Sequence, residues 1–299
     1  MSEQALIFNR RSSLQWLAAG LTGAALPGIG WAQGAASNPA AAKRLVSLSG
    51  SLTEVVYLLQ AQGLLVGTDT TSLYPEAAKK TAKVGYVRQL SAEGLLSLKP
   101  DSVIGTTEAG PPVVLDQIRQ AGVRVSLVAS KHSWAEVQEK VSVVGRETGR
   151  LAQAQQLQNQ LDAQWNQVQA QVAKAARKPR VLFMMSHSGA PLVSGRGTAA
   201  NALLGFAGTV NVITEFDGYK PLTAEAMAAA APDVIINTTQ GIEALGGEAA
   251  FWQRPELALT PAFAKKALVT LEASHLLGFG PRLPTAVQEL HQRTQQWMA

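Results

Sequence analysis

The 299-residue chain contains no cysteine. This excludes disulfides, thiolate metal sites and cysteine nucleophiles, and leaves the redox compartment open. Histidine is scarce too: no two of His132, His187, His275 and His291 sit at metal-ligand spacing, so the pattern offers no zinc cluster. Catalytic signatures are missing in the same way. There is no GxSxG elbow, no GxGxxG after a strand, no Walker A sequence and no HExxH. The net charge of +5 is dispersed, without a long Lys/Arg block or the aromatic-basic alternation of single-strand nucleic-acid surfaces. With 16% charged and 46% hydrophobic residues, the composition is that of a globular protein.

What is present begins at the N-terminus. Residues 1–32, MSEQALIFNRRSSLQWLAAGLTGAALPGIGWA, place Arg10 and Arg11 before an apolar stretch from Leu14, with small residues at Gly30 and Ala32. This reads as a signal peptide. The alternative, a membrane anchor, meets Gly23, Pro27, Gly28 and Gly30, which break the stretch. The paired arginines and the leucine three positions after Arg11 point to the twin-arginine route. A small, polar segment over 33–42 leads to a folded part expected from Lys43.

The length calls for two domains or one large α/β unit. RLVSLS, LLVGTD, DSVIGTT and VRVSLVA read as strands, alternating with the helical LTEVVYLLQAQG, SAEGLLSLKP and VVLDQIRQAG. After Pro179 the alternation resumes with RVLFMMS, GTAANALLGFAG and PDVIINTT. The expected class is α/β: two mostly parallel-sheet, three-layer lobes over 43–140 and 177–299, joined by one long helix over 141–176. Two shorter helices within one continuous domain is the alternative for the joining segment.

An internal repeat favours two lobes. At an offset of 132, Ala92, Glu93, Pro100, Asp101, Ile104, Thr106 and Thr107 recur as Ala224, Glu225, Pro232, Asp233, Ile236, Thr238 and Thr239. Skipping one residue pairs Gly85-Tyr86 with Gly218-Tyr219. In each copy Ser or Thr caps a short helix carrying Glu in its first turn, proline ends the helix and Asp opens a strand. Ligands of open α/β sheets lie beyond the carboxyl ends of the strands. The loops Thr106–Pro112 and Thr238–Gly247 are therefore expected to face each other across a cleft.

Several side chains fall at such ends. GRGTAANAL resembles a phosphate-binding helix start but lacks the lysine and spacing of a P-loop; it reads as a tight turn capped by Thr198, with Arg196 as a candidate anion contact. His187, in SHSGAP, is a candidate ligand contact. Tyr74, in TTSLYPEAAKK, follows the strand LLVGTD. A phenol there serves as core packing, a surface contact, a hydrogen-bond donor or an iron ligand, and the residues alone leave these open.

The segments DTTSLYPEAAKKTAKVGYVRQLSAEGLLSLKPD, VSGRGTAANALL, GYKPLTAEAMAAAAPDVIINTT and LLGFGPRLP resemble the haem-binding periplasmic proteins of bacterial ABC importers, a class related to siderophore and cobalamin binders. The resemblance covers nearly all of the chain after the signal peptide. It implies a periplasmic protein without enzymatic activity that captures ferric haem b between two lobes. Its partners would be an inner-membrane permease with its ATPase and an outer-membrane haem receptor system upstream. The family's axial tyrosine falls on Tyr74, and Glu93 and Glu225 fall where relatives dock to permease arginines. Relatives often carry an arginine where this chain has Gln240, which leaves the cation beside the phenolate to be found. Arg88, Arg196 and Lys220 are candidates for that role or for the propionates. Thr107, Thr239 and Gln240 fall in the cleft loops, and His187 is a candidate for the second-lobe histidine that some relatives use. A ferric-siderophore or cobalamin binder, a haem-modifying or other α/β enzyme, and a haem sensor or store are the rival readings.

Overall fold

Alternation along the strand Leu45–Leu48 (β1) sets the layers of the first lobe. Leu45 packs into one apolar cluster and its neighbour Val46 into another, because successive side chains leave a strand on opposite faces. Strands Leu65–Thr68 (β2), Ser102–Thr106 (β3) and Arg124–Val128 (β4) complete a wholly parallel sheet in the order β2-β1-β3-β4. Helices Gly50–Leu58 (α1), Ala92–Ser97 (α2), Pro112–Gln120 (α3) and Trp134–Thr148 (α4) cover it. Leu52, Val55, Val141 and Val144 bring α1 and α4 onto the Leu45 face; Leu95, Leu115 and Ile118 bring α2 and α3 onto the Val46 face. The computed structural model describes residues 41–185 and 191–298, so the expected signal peptide and His187 lie outside the described residues.

The helix expected over 141–176 is divided. Gly149 adopts a left-handed conformation (φ +69°) that ends α4, and a separate helix, Leu151–Val172 (α5), follows. Residues 141–148 thus belong to α4, which packs on α1, while α5 packs between α4 and the terminal helix Leu283–Gln295.

The second lobe contains strands Arg180–Met185 (β5), Leu192–Ser194 (β6), Val210–Asn211 (β7), Tyr219–Pro221 (β8), Val234–Thr238 (β9) and Leu268–Leu271 (β10). Their order is β10-β9-β5-β6-β8, with β7 also beside β5. The β10, β9, β5 and β7 pairings are parallel; β6 runs antiparallel to both β5 and β8, which makes this sheet mixed. Helices Ala199–Phe206 (α6), Ala224–Ala230 (α7) and Thr239–Ala244 (α8) and the terminal helix pack on it.

The repeat is visible in three dimensions. Ser91 caps α2 by accepting from the Gly94 N–H (3.3 Å), and Thr223 caps α7 by accepting from Ala226 (3.2 Å). Asp101 accepts the backbone N–H groups of Lys43 and Arg44 (2.8 and 3.3 Å), and Asp233 accepts that of Arg180 (3.0 Å). Arg44 and Arg180 then donate to the last carbonyls of α2 and α7, at Leu98 (2.6 Å) and Ala230 (2.8 Å).

Behind the cleft, an aromatic column joins the lobes. Trp134 of α4 stacks on Trp165 of α5 (centroids 4.8 Å apart, 2° between planes), and Trp165 meets the edge of Phe206 at 5.0 Å. Phe206 contacts Phe279, which meets the His132 ring at 5.3 Å. Among the described residues no helix is long and apolar enough to cross a membrane.

Candidate binding cleft

Turns that follow the strands carry the first-lobe wall of a cavity of about 500 Å³, a size that suits a small molecule. Leu48 and Ser49 at the end of β1, Thr106 and Glu108 after β3, and Ser130 and His132 after β4 line this side. Met185 ends β5 on the other side, where Gly197–Ala199, Tyr219 and the segment around Leu277–Phe279 complete the wall. The expectation of a carboxyl-end cleft therefore holds, and Thr106 belongs to it. Thr238–Gly247 does not form the second wall. Thr238 Oγ1 accepts the Gly241 N–H (2.9 Å) and starts α8, so that loop coils away into a helix.

Apolar surface comes from Leu48, Val87, Met185, Leu277 and Phe279, with one tyrosine from each lobe, Tyr86 and Tyr219. Burial pushes the Tyr219 phenol upward, so it presents a neutral ring. A buried ion pair also lines the cavity. Glu136 and Lys140 meet at 2.7 Å, with side chains only 3% and 2% exposed. The second Glu136 oxygen accepts the N–H groups of Lys131 and His132, each at 2.8 Å. Lys140 donates across the lobes to the Phe279 carbonyl (2.8 Å). Burial pushes the Lys140 ammonium down, and the Glu136 carboxylate opposes that shift.

Tyr74 is not among the residues that line this cavity; it stands half exposed on a loop fixed from beneath, whose Thr71 does line it. Buried Asp69 accepts from the Ser72 hydroxyl (2.7 Å) and from the Thr71 hydroxyl, while Lys83 donates to the Ser72 and Ala78 carbonyls (2.9 and 3.1 Å). The Tyr74–Pro75 bond is cis. Over the Tyr74 ring lies a guanidinium from the other lobe: Arg282 Cζ is 4.0 Å from the ring centroid. Two hydrogen bonds to Glu54 (2.8 and 2.7 Å) and one to Ser274 (2.9 Å), itself a cavity residue, hold Arg282. Burial raises the Glu54 carboxyl, and the Arg282 hydrogen bond and charge pull against it.

Of the remaining sequence candidates, Arg88 lines the cavity, paired with Glu108 at 3.0 Å. Arg196 does not; it is ion-paired with Asp217 (3.0 Å), while its neighbours Gly197 and Thr198 do line the cavity. Thr107 Oγ1 accepts the Ser130 N–H (3.1 Å), and Thr239 opens α8. Gln240 binds Glu272 (3.3 Å) and the Ala273 N–H (3.0 Å) rather than reaching the cavity. Glu93 and Glu225 are exposed in the first turns of α2 and α7. Lys220 lies over the Phe216 ring.

Sequence reasoning did not single out Tyr86, Tyr219, Glu136, Lys140, His132 or Arg282. The tyrosines carried a signal, since they are equivalent in the repeat, and Arg282 lay within LLGFGPRLP. Among the described residues no group of three or more His, Asp or Glu side chains is placed to hold a metal ion.

Residues 45–274 match the family described as periplasmic binding protein. The periplasmic haem-binding protein BhuT, solved in complex with two haems, is 43% identical with a TM-score of 0.83, over 86% of this chain and 99% of that one. The periplasmic haem-binding protein RhuT from Roseiflexus sp. RS-1, solved in apo form, is 34% identical with a TM-score of 0.82 over the same shares. The ABC transporter substrate-binding lipoprotein YvrC of Bacillus subtilis (strain 168) is 27% identical, over 83% of this chain and 78% of its own. A match that runs from the first strand of one lobe to the turn beyond the last strand of the other makes this chain a member of the periplasmic binding protein family.

Proposed function

We propose that this chain is an exported, periplasmic binding protein that captures ferric haem b in the interlobe cleft, with Tyr74 as ligand to the iron. It then delivers the haem to an inner-membrane ABC permease and its ATPase. The observation that carries this reading is Tyr74 itself: a half-exposed phenol under a guanidinium held by Ser274, which lines the cavity. A phenolate is a haem-iron ligand in proteins. A porphyrin already fills four positions on its iron, so one protein oxygen suffices. Bare iron needs several ligands, and a saturated siderophore or cobalamin has no use for this one.

The flat macrocycle gains from burial against Tyr86, Tyr219, Leu277 and Phe279. Arg88 on the rim is the residue for a propionate, which would compete with Glu108 for it. Glu93 and Glu225 face outward on repeat-equivalent turns and dock to the permease. No covalent chemistry on the ligand is part of this function. The similarity to BhuT and RhuT supports haem over the related ligands, and the similarity to YvrC supports the ABC importer.

The test is a titration of the mature protein with ferric haem, followed by visible spectrum, in the parent and in Tyr74→Phe. A saturable tyrosinate-type spectrum that Tyr74→Phe loses is the expected result. Equal spectra would remove Tyr74 from the iron. Absence of saturable haem binding, with cobalamin or a ferric siderophore bound instead, would overturn the reading.

A further inference from the structure

Six basic residues from two separate segments meet at one end of the second lobe. Lys174, Arg177, Lys178 and Arg180 lead from α5 into β5, and Lys265 and Lys266 close the short helix Pro261–Lys265 before β10. The fold joins the two groups. Arg177 Nη1 donates to the Met298 carbonyl (3.4 Å) and Lys265 Nζ to that of the adjacent Trp297 (3.5 Å). Asp233 accepts the Arg180 backbone N–H, and the Ala262 N–H binds the neighbouring Pro232 carbonyl (3.0 Å). All six cations are exposed, and among the described residues none is ion-paired with a carboxylate. At the corresponding end of the first lobe Arg119 is paired with Asp116 (2.8 Å) and Arg124 with Glu147 (3.6 Å). Apolar groups stand among the second-lobe cations. Val210 and Leu259, 40% and 78% exposed, are the large exposed hydrophobic side chains of the described second lobe. Val210 pairs with Arg180 in the sheet, and Leu259 directly precedes the Thr260 that caps the Pro261–Lys265 helix.

We propose that this end of the second lobe is a docking surface for anionic phospholipid bilayers. A cationic face with protruding aliphatic side chains matches the layer in which lipid phosphates meet acyl chains. An acidic protein would select a fixed arrangement of donors. Lys174 and Lys178 make no side-chain hydrogen bond among the described residues, so the face offers charge density instead. β5 runs from Arg180 on this face to Met185 in the cavity wall, and a molecule held here keeps its cleft turned away from the lipid. Each cation near such a surface strengthens binding about fivefold, and salt weakens the attraction by shortening the Debye length.

The test is co-sedimentation of the mature protein, without haem, on vesicles of phosphatidylethanolamine and phosphatidylglycerol at low salt, with phosphatidylcholine vesicles alongside. The expected result is saturable binding to the anionic vesicles alone, lost in about 0.5 M salt. Lys174→Gln/Lys178→Gln should weaken that binding roughly twentyfold, and Leu259→Ser about threefold. Lys43→Gln/Lys99→Gln takes the same charge from the first lobe and should change binding less than about twofold. Equal weakening by the two double variants would mean that charge acts from the whole surface, and overturns the proposal. Equal binding to phosphatidylcholine overturns it too, as does the absence of vesicle binding at low salt, which would leave the face to an acidic protein. No step involves haem, so this outcome and that of the haem titration are independent.

Discussion

Asp101 in the first lobe and Asp233 in the second hold the same point of the repeated unit, at the start of a buried parallel strand. Each binds backbone N–H groups of the neighbouring strand, whose arginine closes the end of the preceding helix. At the opposite end of the same strands the lobes differ. β3 runs into a wall of the cavity, whereas β9 runs into α8. Tyr86 is 43% exposed in the cleft and Tyr219 is mostly buried; Tyr74 comes from one lobe and the guanidinium above it from the other. The repeat is thus kept where it builds sheet and only partly at the cavity, where Tyr86 and Tyr219 both line the wall but the loops after β3 and β9 diverge. Among the described residues the amino ends of β3 and β9 line no part of the cavity, so one solution serves both lobes there.

The largest expected effect lies at the seam. Glu136→Gln leaves Lys140 buried beside the Phe279 carbonyl without its carboxylate, and should cost about 3–5 kcal/mol in urea unfolding. Glu136→Leu with Lys140→Met should recover most of this; if it does not, the pair does more than neutralise itself. The equivalence of the two aspartates is tested next. Asp101→Ala removes two backbone acceptor bonds and should cost roughly 2–3 kcal/mol, Asp233→Ala one bond and roughly 1–2 kcal/mol. The reverse order would break the comparison.

Glu93→Ala and Glu225→Ala should each slow docking of haem-loaded protein on permease-containing vesicles about threefold to tenfold, with haem binding unchanged. A loss confined to one lobe would mean that the permease does not read the repeat. The smallest effect concerns a residue without a first-lobe counterpart. Burial, with Arg282 adding to it, pushes His275 below its ordinary 6.5, and Glu289 and Glu272 oppose this. The unfolded chain takes up a proton first as pH falls, so the stability from neutral His275 is present above pH 6.5 and is lost as pH drops through the folded-state value. Thermal melts between pH 7.5 and 5 should therefore show a smaller fall for His275→Gln than for the parent.

The parallel strands β1 to β5 and β9 were legible because each is a short apolar run between turn signals, and the repeat placed the cleft at their carboxyl ends; the parallel β7 and β10 were not read. The strands β6 and β8 were not, since LVS and YKP are too short to carry a period. The helix over 141–176 concealed its break because Gly149 stands between two good helical stretches. Nothing in the sequence set Glu136 and Lys140 apart; the carbonyls that Lys140 meets, Gly278 and Phe279, come from far along the chain. Arg282 was hidden for the same reason. Its place over Tyr74 comes from Glu54, and no spacing along the sequence links the three.

The stacking of Trp134 on Trp165 has an optical consequence. Two indoles in parallel contact share their electronic transitions, so the near-ultraviolet dichroism and emission of the pair depend on how α4 lies against α5. Phe206 ties the same pair to the second lobe. The chain therefore carries, without any label, a chromophore where its two lobes join.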